Sequence, residues 1–273
     1  MTVSGHRAMT KPSTSGRQLL PLSVWLCADE QPEHDRAATG CPRRNTLVGI
    51  ELARHLISAC TKPGELIVET HPVNAATLAC AVLQGRKAVA LVPKVAYAQA
   101  IRAQLQEIFP AKDLTGIYLR PSSPRQMDAA LAKQAGTAHL VIYAPPCPSG
   151  QQCPACPDND DHEGERPAVM RGAWQVLGDG GHLAVVTAPH REGERLRDQA
   201  PALIRAARAA GFAYTQHVIA LRVPVREGEL VVQAAPEGLG HLYDVRRPAP
   251  PVTVGVHADV LLFTKITSDG GTR

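Results

Sequence analysis

The stretch GELIVETHPVNAATLACAVLQGRKAVALVP, residues 64–93, decides the fold. Its apolar runs at Leu66–Val68 and Ala88–Val92 are typical of buried strands, and the alanine-rich segment 74–84 between them is typical of a helix. A strand, a helix and a second strand in this order form a unit with parallel strands. The turn after the first strand contains no glycine, although a turn that cradles a nucleotide-like ligand normally does.

The same alternation of strands and helices continues along the chain. Further strands are expected at Leu114–Tyr118, His139–Tyr143, His182–Thr187, Tyr214–Leu221 and Val254–Phe263. Further helices are expected at 94–108, 124–135, 166–177 and 194–210, and before the opening stretch from Asn45 to just before Lys62. The pattern predicts an α/β fold with a mostly parallel seven-stranded sheet and helices on both faces. The last two strands lack a long helix between them, so we expect them to pair antiparallel at one edge.

Composition sets the domain organisation and excludes some functions. With 273 residues, 44% of them hydrophobic, the chain can bury one large core. We expect a single domain at 45–266, preceded by an irregular arm at 1–44 with one apolar anchor at 19–26, and followed by a tail at 267–273. The absence of a long apolar run or signal-like segment predicts a cytoplasmic protein without a membrane segment. The formal charge of +4 is too small to identify a nucleic-acid binder, although it permits one.

Residues 22–264 resemble the S-adenosylmethionine (SAM)-dependent methyltransferases of the bacterial DNA-methylase or tRNA-guanine-methylase type, especially small actinobacterial members. The segments on which the resemblance rests include PGELIVE, LQGRKAVAL, AHLVIYAPPC, LGDGGHLAVVTAP and HADVLLF. The resemblance implies a Rossmann-like methyltransferase fold and SAM as the cofactor. It also implies that the ancestral substrate was an exocyclic amino group of DNA or RNA.

The resemblance implies a cofactor site at the first turn and at the end of the second strand. Its candidate residues are Glu69, Thr70, His71, Val73, Ala75, Thr77 and Val92. The family's glycines fall on Val73 and Ala75, whose side chains would occupy space used by the cofactor. The family's ribose-binding acid falls on Val92, which offers only apolar contact. Glu69 has two open roles, ligand contact or a structural cap or ion pair, and His71 is interpreted as a turn residue.

The family's substrate-binding tetrad corresponds to Ala144, Pro145, Pro146 and Cys147. In the family, the first residue of the tetrad accepts a hydrogen bond from the target amino group, and its aromatic fourth residue stacks on the flipped base. Ala144 offers no side-chain acceptor and Cys147 offers no ring. The tetrad is therefore degenerate at the two positions that hold the substrate.

A cysteine-rich loop follows at 147–165. Cys147, Cys153, Cys156 and His162 have a C-x5-C-x2-C-x5-H spacing, and the Cys153–Cys156 pair can present two thiolates to one Zn²⁺. The alternative is a polar lid with reactive thiols over the substrate side. Cys60 and Cys80 are expected in helices as small apolar residues.

Two classes of function are consistent with these differences between the sequence and the family's motifs. The first is a divergent SAM-dependent methyltransferase acting on amino groups of DNA or RNA. The second is a catalytically inactive protein of the same fold that serves as a binding or partner subunit, with an active relative as one candidate partner. Because the donor and acceptor sites are altered together, the sequence favours the second class.

Overall fold

The computed structural model describes residues 24–28, 48–145, 162–192, 195–222, 225–227, 229–230 and 257–266. In this part of the chain the α-helices are α1 (Ile50–Cys60), α2 (Ala76–Leu83), α3 (Val95–Ile108), α4 (Met127–Ala130), α5 (His162–Val176) and α6 (Ala200–Ala209). The strands are β1 (Val24–Leu26), β2 (Leu66–Glu69), β3 (Lys87–Leu91), β4 (Ile117–Arg120), β5 (Ala138–Tyr143), β6 (Leu177–Thr187), β7 (His190–Glu192), β8 (Arg195–Arg197), β9 (Ala213–Leu221), β10 (Val225–Arg226), β11 (Glu229–Leu230) and β12 (His257–Thr264).

Eight of these strands form one sheet in the order β1-β9-β12-β6-β5-β2-β3-β4. Strand β12 runs antiparallel to β6 and β9, and the other neighbouring strands are parallel. The Rossmann-like α/β fold and the antiparallel pairing of the last two predicted strands are thus confirmed. Their expected position at an edge was wrong, because β12 lies between β6 and β9, and β9 is covered by β1. The prediction of seven strands was wrong by one, because Val24–Leu26 pairs with β9 and forms the edge of the sheet.

Helices cover both faces of the sheet and enclose two apolar cores. On one face α1, α2 and α3 pack over residues such as Ile67, Ala90 and Ile142. On the other face α4, α5 and α6 pack over residues such as Val68 and Val141. Adjacent strand residues point to opposite faces, so a strand buried on both sides is apolar at nearly every position. This explains why the central strands were visible in the sequence.

Helix boundaries depart from expectation where the local sequence is ambiguous. Helix α1 begins at Ile50, later than the expected start at Asn45, a residue that lies outside the described part. The helix expected at 124–135 is divided into α4 and two short 3-10 helices, Pro124–Gln126 and Ala132–Gln134. Helix α6 begins at Ala200, whose N–H donates to Asp198 Oδ1 at 2.9 Å. No helix in the described residues is long and apolar enough to cross a membrane.

Candidate functional site

The turn between β2 and α2 is built without glycine and without left-handed backbone. Glu227 is the only described non-glycine residue with a positive φ, and it lies elsewhere. Inside the turn, Asn74 Oδ1 accepts a hydrogen bond from the Ala76 N–H at 3.0 Å, which replaces one of the missing partners at the helix start. At the strand end, the Thr70 N–H donates to the Ile142 carbonyl at 3.1 Å. Side-chain and cross-strand hydrogen bonds therefore shape this turn.

The two positions where the resembling family has glycine are filled and buried. Val73 is 8% exposed and Ala75 is 7% exposed. Ala75 is the residue before the first turn of α2 and belongs to the same apolar core as Val92. Val92 follows β3 directly and has no exposed surface. Ala75 and Val92 therefore pack in the protein's own core, and Val73 is buried as well.

Glu69 ends β2 with a buried carboxyl group. Its Oε1 accepts a hydrogen bond from Thr77 Oγ1 at 3.1 Å, while its Oε2 is buried with no partner among the described residues. Burial raises the pKa of Glu69 to about 8, against the hydrogen bond from Thr77, which lowers it. At neutral pH the carboxyl is therefore mostly protonated and uncharged.

A second cluster of polar side chains, centred on His71, lies at the same end of the sheet. His71 Nδ1 lies 2.8 Å from Thr70 Oγ1, and His71 Nε2 lies 3.7 Å from Glu165 Oε1 in α5. The side chains of His71 and Glu165 are 7% and 6% exposed. The imidazole also lies 5.5 Å, centroid to centroid, from the ring of Tyr143 at the end of β5. His71 is thus a turn residue, as interpreted, and also connects β2, β5 and α5.

Tyr143 is completely buried, and its hydroxyl has no hydrogen-bond partner in the described part of the chain. Burial raises the pKa of this phenol above its ordinary value, and the nearby Glu165 raises it further. The sequence placed Tyr143 at the end of a predicted strand and indicated no role for Glu165. The position of Tyr143 at the end of a predicted strand could have indicated that it lies near the site. No sequence feature indicated Glu165, because its contact with His71 depends on how α5 crosses the sheet.

The degenerate tetrad and the cysteine-rich loop are described only in part. Ala144 is half-buried and packs on the core, and Pro145 is buried, while Pro146 and Cys147 lie outside the described residues. Cys153 and Cys156 also lie outside them. His162 is the first residue of α5, and its side chain is not described. Within the described ranges no group of three or more His, Cys, Asp or Glu side chains is arranged to hold a metal ion.

Two of the cysteines outside that loop lie where they were expected. Cys60 ends α1 and Cys80 lies inside α2, so their placement in helices is confirmed. Cys80 is buried, and Cys60 packs against the same core. Burial raises the pKa of the Cys60 thiol to about 12. Both residues therefore act as small apolar side chains.

Comparison with solved structures identifies the fold. TrmN from Thermus thermophilus has a TM-score of 0.50 and 15% sequence identity, with 79% of this chain and 48% of TrmN covered. A predicted O-methyltransferase from Agrobacterium tumefaciens has a TM-score of 0.49 and 16% identity, with coverages of 80% and 81%. Geranyl diphosphate methyltransferase in complex with SAM has a TM-score of 0.49 and 13% identity, with coverages of 78% and 84%. The likeness to TrmN agrees with a Rossmann-like methyltransferase fold for this protein.

No protein-family model matches the sequence, and no curated protein matches it. This chain spans about half the length of TrmN, with 48% covered. At identities of 15% and 16%, the likeness concerns the fold, and the function has to be argued from the site.

Proposed function

We propose that this protein is a divergent methyltransferase-fold protein that works as a binding or partner subunit and does not use SAM as a methyl donor in the ordinary way. One observation supports this most directly. The turn that would hold the cofactor is filled by its own buried side chains, with Val73 and Ala75 at the positions of the family's glycines. A β-carbon at such a position excludes the close backbone approach that the cofactor needs.

The chemistry of Glu69 supports the same proposal. SAM bears a positive sulfonium and an ammonium group, which an ionised carboxylate at the strand end would attract. Because burial keeps Glu69 mostly protonated at neutral pH, that attraction is weak. Val92, buried in the apolar core, gives no acceptor for ribose hydroxyls. Three separate features thus reduce affinity for the cofactor.

The alternative is a divergent enzyme that transfers the methyl group of SAM to an amino group of DNA or RNA. It is supported by the retained carboxyl of Glu69 at the end of β2 and by Pro145 shortly after β5, both at the edge where ligands bind in sheets of this kind. In this alternative the backbone near Ala144 would hold the acceptor nitrogen, since the side chain has no acceptor. In this alternative Cys147, Cys153, Cys156 and His162 would hold a Zn²⁺ in the segment that follows the degenerate tetrad.

Calorimetric titration with SAM and with S-adenosylhomocysteine separates the two functions. We expect no binding up to millimolar ligand by a protein that is folded and free of copurified ligand. Micromolar binding would overturn the proposal and make the enzymatic alternative primary. In that case, methyl transfer to DNA and RNA would be measured next.

The filled turn is tested by a double variant with Val73→Gly and Ala75→Gly. If these side chains alone block the site, the variant gains SAM binding that the native protein lacks. The matched control is Val95→Gly with Ala132→Gly, which makes the same changes at exposed positions. Val92→Glu is added only in a second step, after its folding is verified, because it places an acid in the core. A folded double variant without any gain would show that the turn is not the obstacle.

A further inference from the structure

Strand β4 forms one edge of the large sheet and pairs on one side only. Gly116 and Arg120 accept backbone hydrogen bonds from β3 residues at 3.0 and 2.8 Å, so the even-numbered residues of β4 bond to β3. Successive residues of a strand direct their N–H and C=O groups to opposite sides. The backbone groups of Ile117 and Leu119 therefore point away from β3, to a side where the described residues provide no further strand.

The opposite edge of the sheet, strand β1, is covered by one of the protein's own side chains. His55 Nε2 donates to the Leu26 carbonyl at 3.2 Å, and the His55 ring stacks on Trp25 at 5.5 Å between centroids. In the part of the chain that the structure describes, no side chain bonds to the outward backbone groups of β4 in this way. An unpaired strand edge is a template for another strand. The sheet can therefore be extended at β4.

The backbone of β4 favours one symmetric way of pairing with an identical strand. Two copies related by a two-fold axis pair antiparallel, and the position of the axis fixes which residues lie opposite each other. With the axis at Tyr118, Ile117 lies opposite Leu119 of the second copy, and each such pair exchanges both N–H···O bonds. An axis at Leu119 would place Ile117 opposite Pro121, which has no N–H. An axis at Ile117 would place Leu119 opposite Thr115, whose φ of −62° and ψ of −23° are helical.

The side chains of this register are complementary to themselves. Tyr118 is 53% exposed and would lie opposite its own copy, at a position without direct hydrogen bonds, where facing side chains are closest and aromatic pairs are favourable. Arg120 would lie opposite Gly116, which has no side chain, so like charges do not face each other directly. Ile117 and Leu119 are half-buried against the core under α1–α3, and their pairing would continue this apolar layer across the edge.

We propose that this protein forms a symmetric dimer with a second copy of itself, in which the two β4 strands pair antiparallel and join the two sheets into one. The contact surface is the edge from Gly116 to Arg120. Because one short strand from each copy carries the pairing, the dimer is weak and depends on protein concentration. It needs neither SAM nor a metal, so it is independent of both functions proposed above.

Sedimentation equilibrium on the full chain measures this association. We expect the mean mass to rise from 29.1 kDa towards twice this value as the protein concentration is raised to about 100 μM. Tyr118→Arg places two positive charges opposite each other and should weaken association roughly tenfold. Tyr118→Phe keeps the ring and is the matched control, which should associate like the native protein. A native protein that stays monomeric, or a folded Tyr118→Arg variant that associates as the native protein does, would refute the dimer.

Disulfide cross-linking tests the register. In the proposed dimer the Cα atoms at position 118 are about 4.5 Å apart, a separation that a disulfide spans. Under mild oxidation Tyr118→Cys should therefore form a covalent dimer well above the level that the native cysteines give. Arg120→Cys is the control, because its two thiols would be more than about 13 Å apart along the strands. Cross-linking of Arg120→Cys to the same extent, or none by Tyr118→Cys, would contradict the proposed pairing.

Discussion

Replacing Glu69 by glutamine should change the pH dependence of stability in a defined direction. Burial raises the pKa of Glu69 from its ordinary 4.5 to about 8 in the folded protein. Between these values the folded state holds a proton that the unfolded state has lost. The resulting contribution to stability is complete below pH 4.5 and is lost as the pH rises through 8. Glutamine stays neutral and keeps an oxygen for Thr77 to donate to.

The size of the effect follows from linkage. A difference of one bound proton changes the free energy of unfolding by about 1.4 kcal/mol per pH unit. Across the roughly three units from about pH 5 to about pH 8 this sums to about 4 kcal/mol. Because Glu69 is buried, solvent screening reduces this value little. Relative to the native protein, Glu69→Gln should therefore become more stable by this amount as the pH rises.

Urea unfolding at several pH values between about 5 and about 8 measures this difference directly. The matched control is Glu107→Gln, which removes an exposed carboxyl on α3 and should leave the pH dependence nearly parallel to that of the native protein. If plots of the free energy of unfolding against pH were also parallel for Glu69→Gln and the native protein, folding would not change the pKa of Glu69. The argument that the Glu69 carboxyl is uncharged in the folded protein would then fail.

Two further predictions concern the backbone and the cysteine-rich loop. Gly211→Ala should destabilise the fold by about 1–3 kcal/mol in urea unfolding, because Gly211 has a φ of +104° and a β-carbon there would lie 3.1 Å from the Trp174 ring. Gly136 also has a positive φ but faces open space, so Gly136→Ala should lower the free energy of unfolding by less. Equal losses of stability in the two variants would contradict the role of the Trp174 ring. If the loop binds zinc, elemental analysis should find about one Zn²⁺ per chain, lost in Cys153→Ser/Cys156→Ser, whereas a metal-free native protein would contradict this.

The parallel part of the sheet could be predicted because each of its strands is recognisable from its own short stretch of sequence. Strands such as Leu66–Glu69 are buried on both faces, so nearly all their residues are apolar, and helices with regular spacing separate them. Strand β1 could not be predicted in the same way. It has only three residues, exposes Val24 and Leu26, and owes its conformation to pairing with β9, which lies far away in the sequence.

The candidate site was predictable in position but not in chemistry. Glu69 was identified from its place at the end of a strand. Its protonation, however, depends on how completely the fold excludes water, which the sequence does not state. The contact between His71 and Glu165 depends on the packing of α5. The glycine-free turn was visible in the sequence, whereas the hydrogen bond from Ala76 to Asn74 that makes it feasible required coordinates.

The antiparallel strand β12 also determines when the sheet can be completed during synthesis. It lies between β6 and β9, yet it follows both of them along the chain. While a ribosome is making the protein, β9 and β1 therefore have no route to the central strands until residues 257–264 have emerged. Until then the exposed edge of β6 is a site where a nascent chain can pair wrongly or recruit a chaperone. Among the described strands of the sheet, β12 is therefore the last to become available for pairing, and completion of the sheet waits for it.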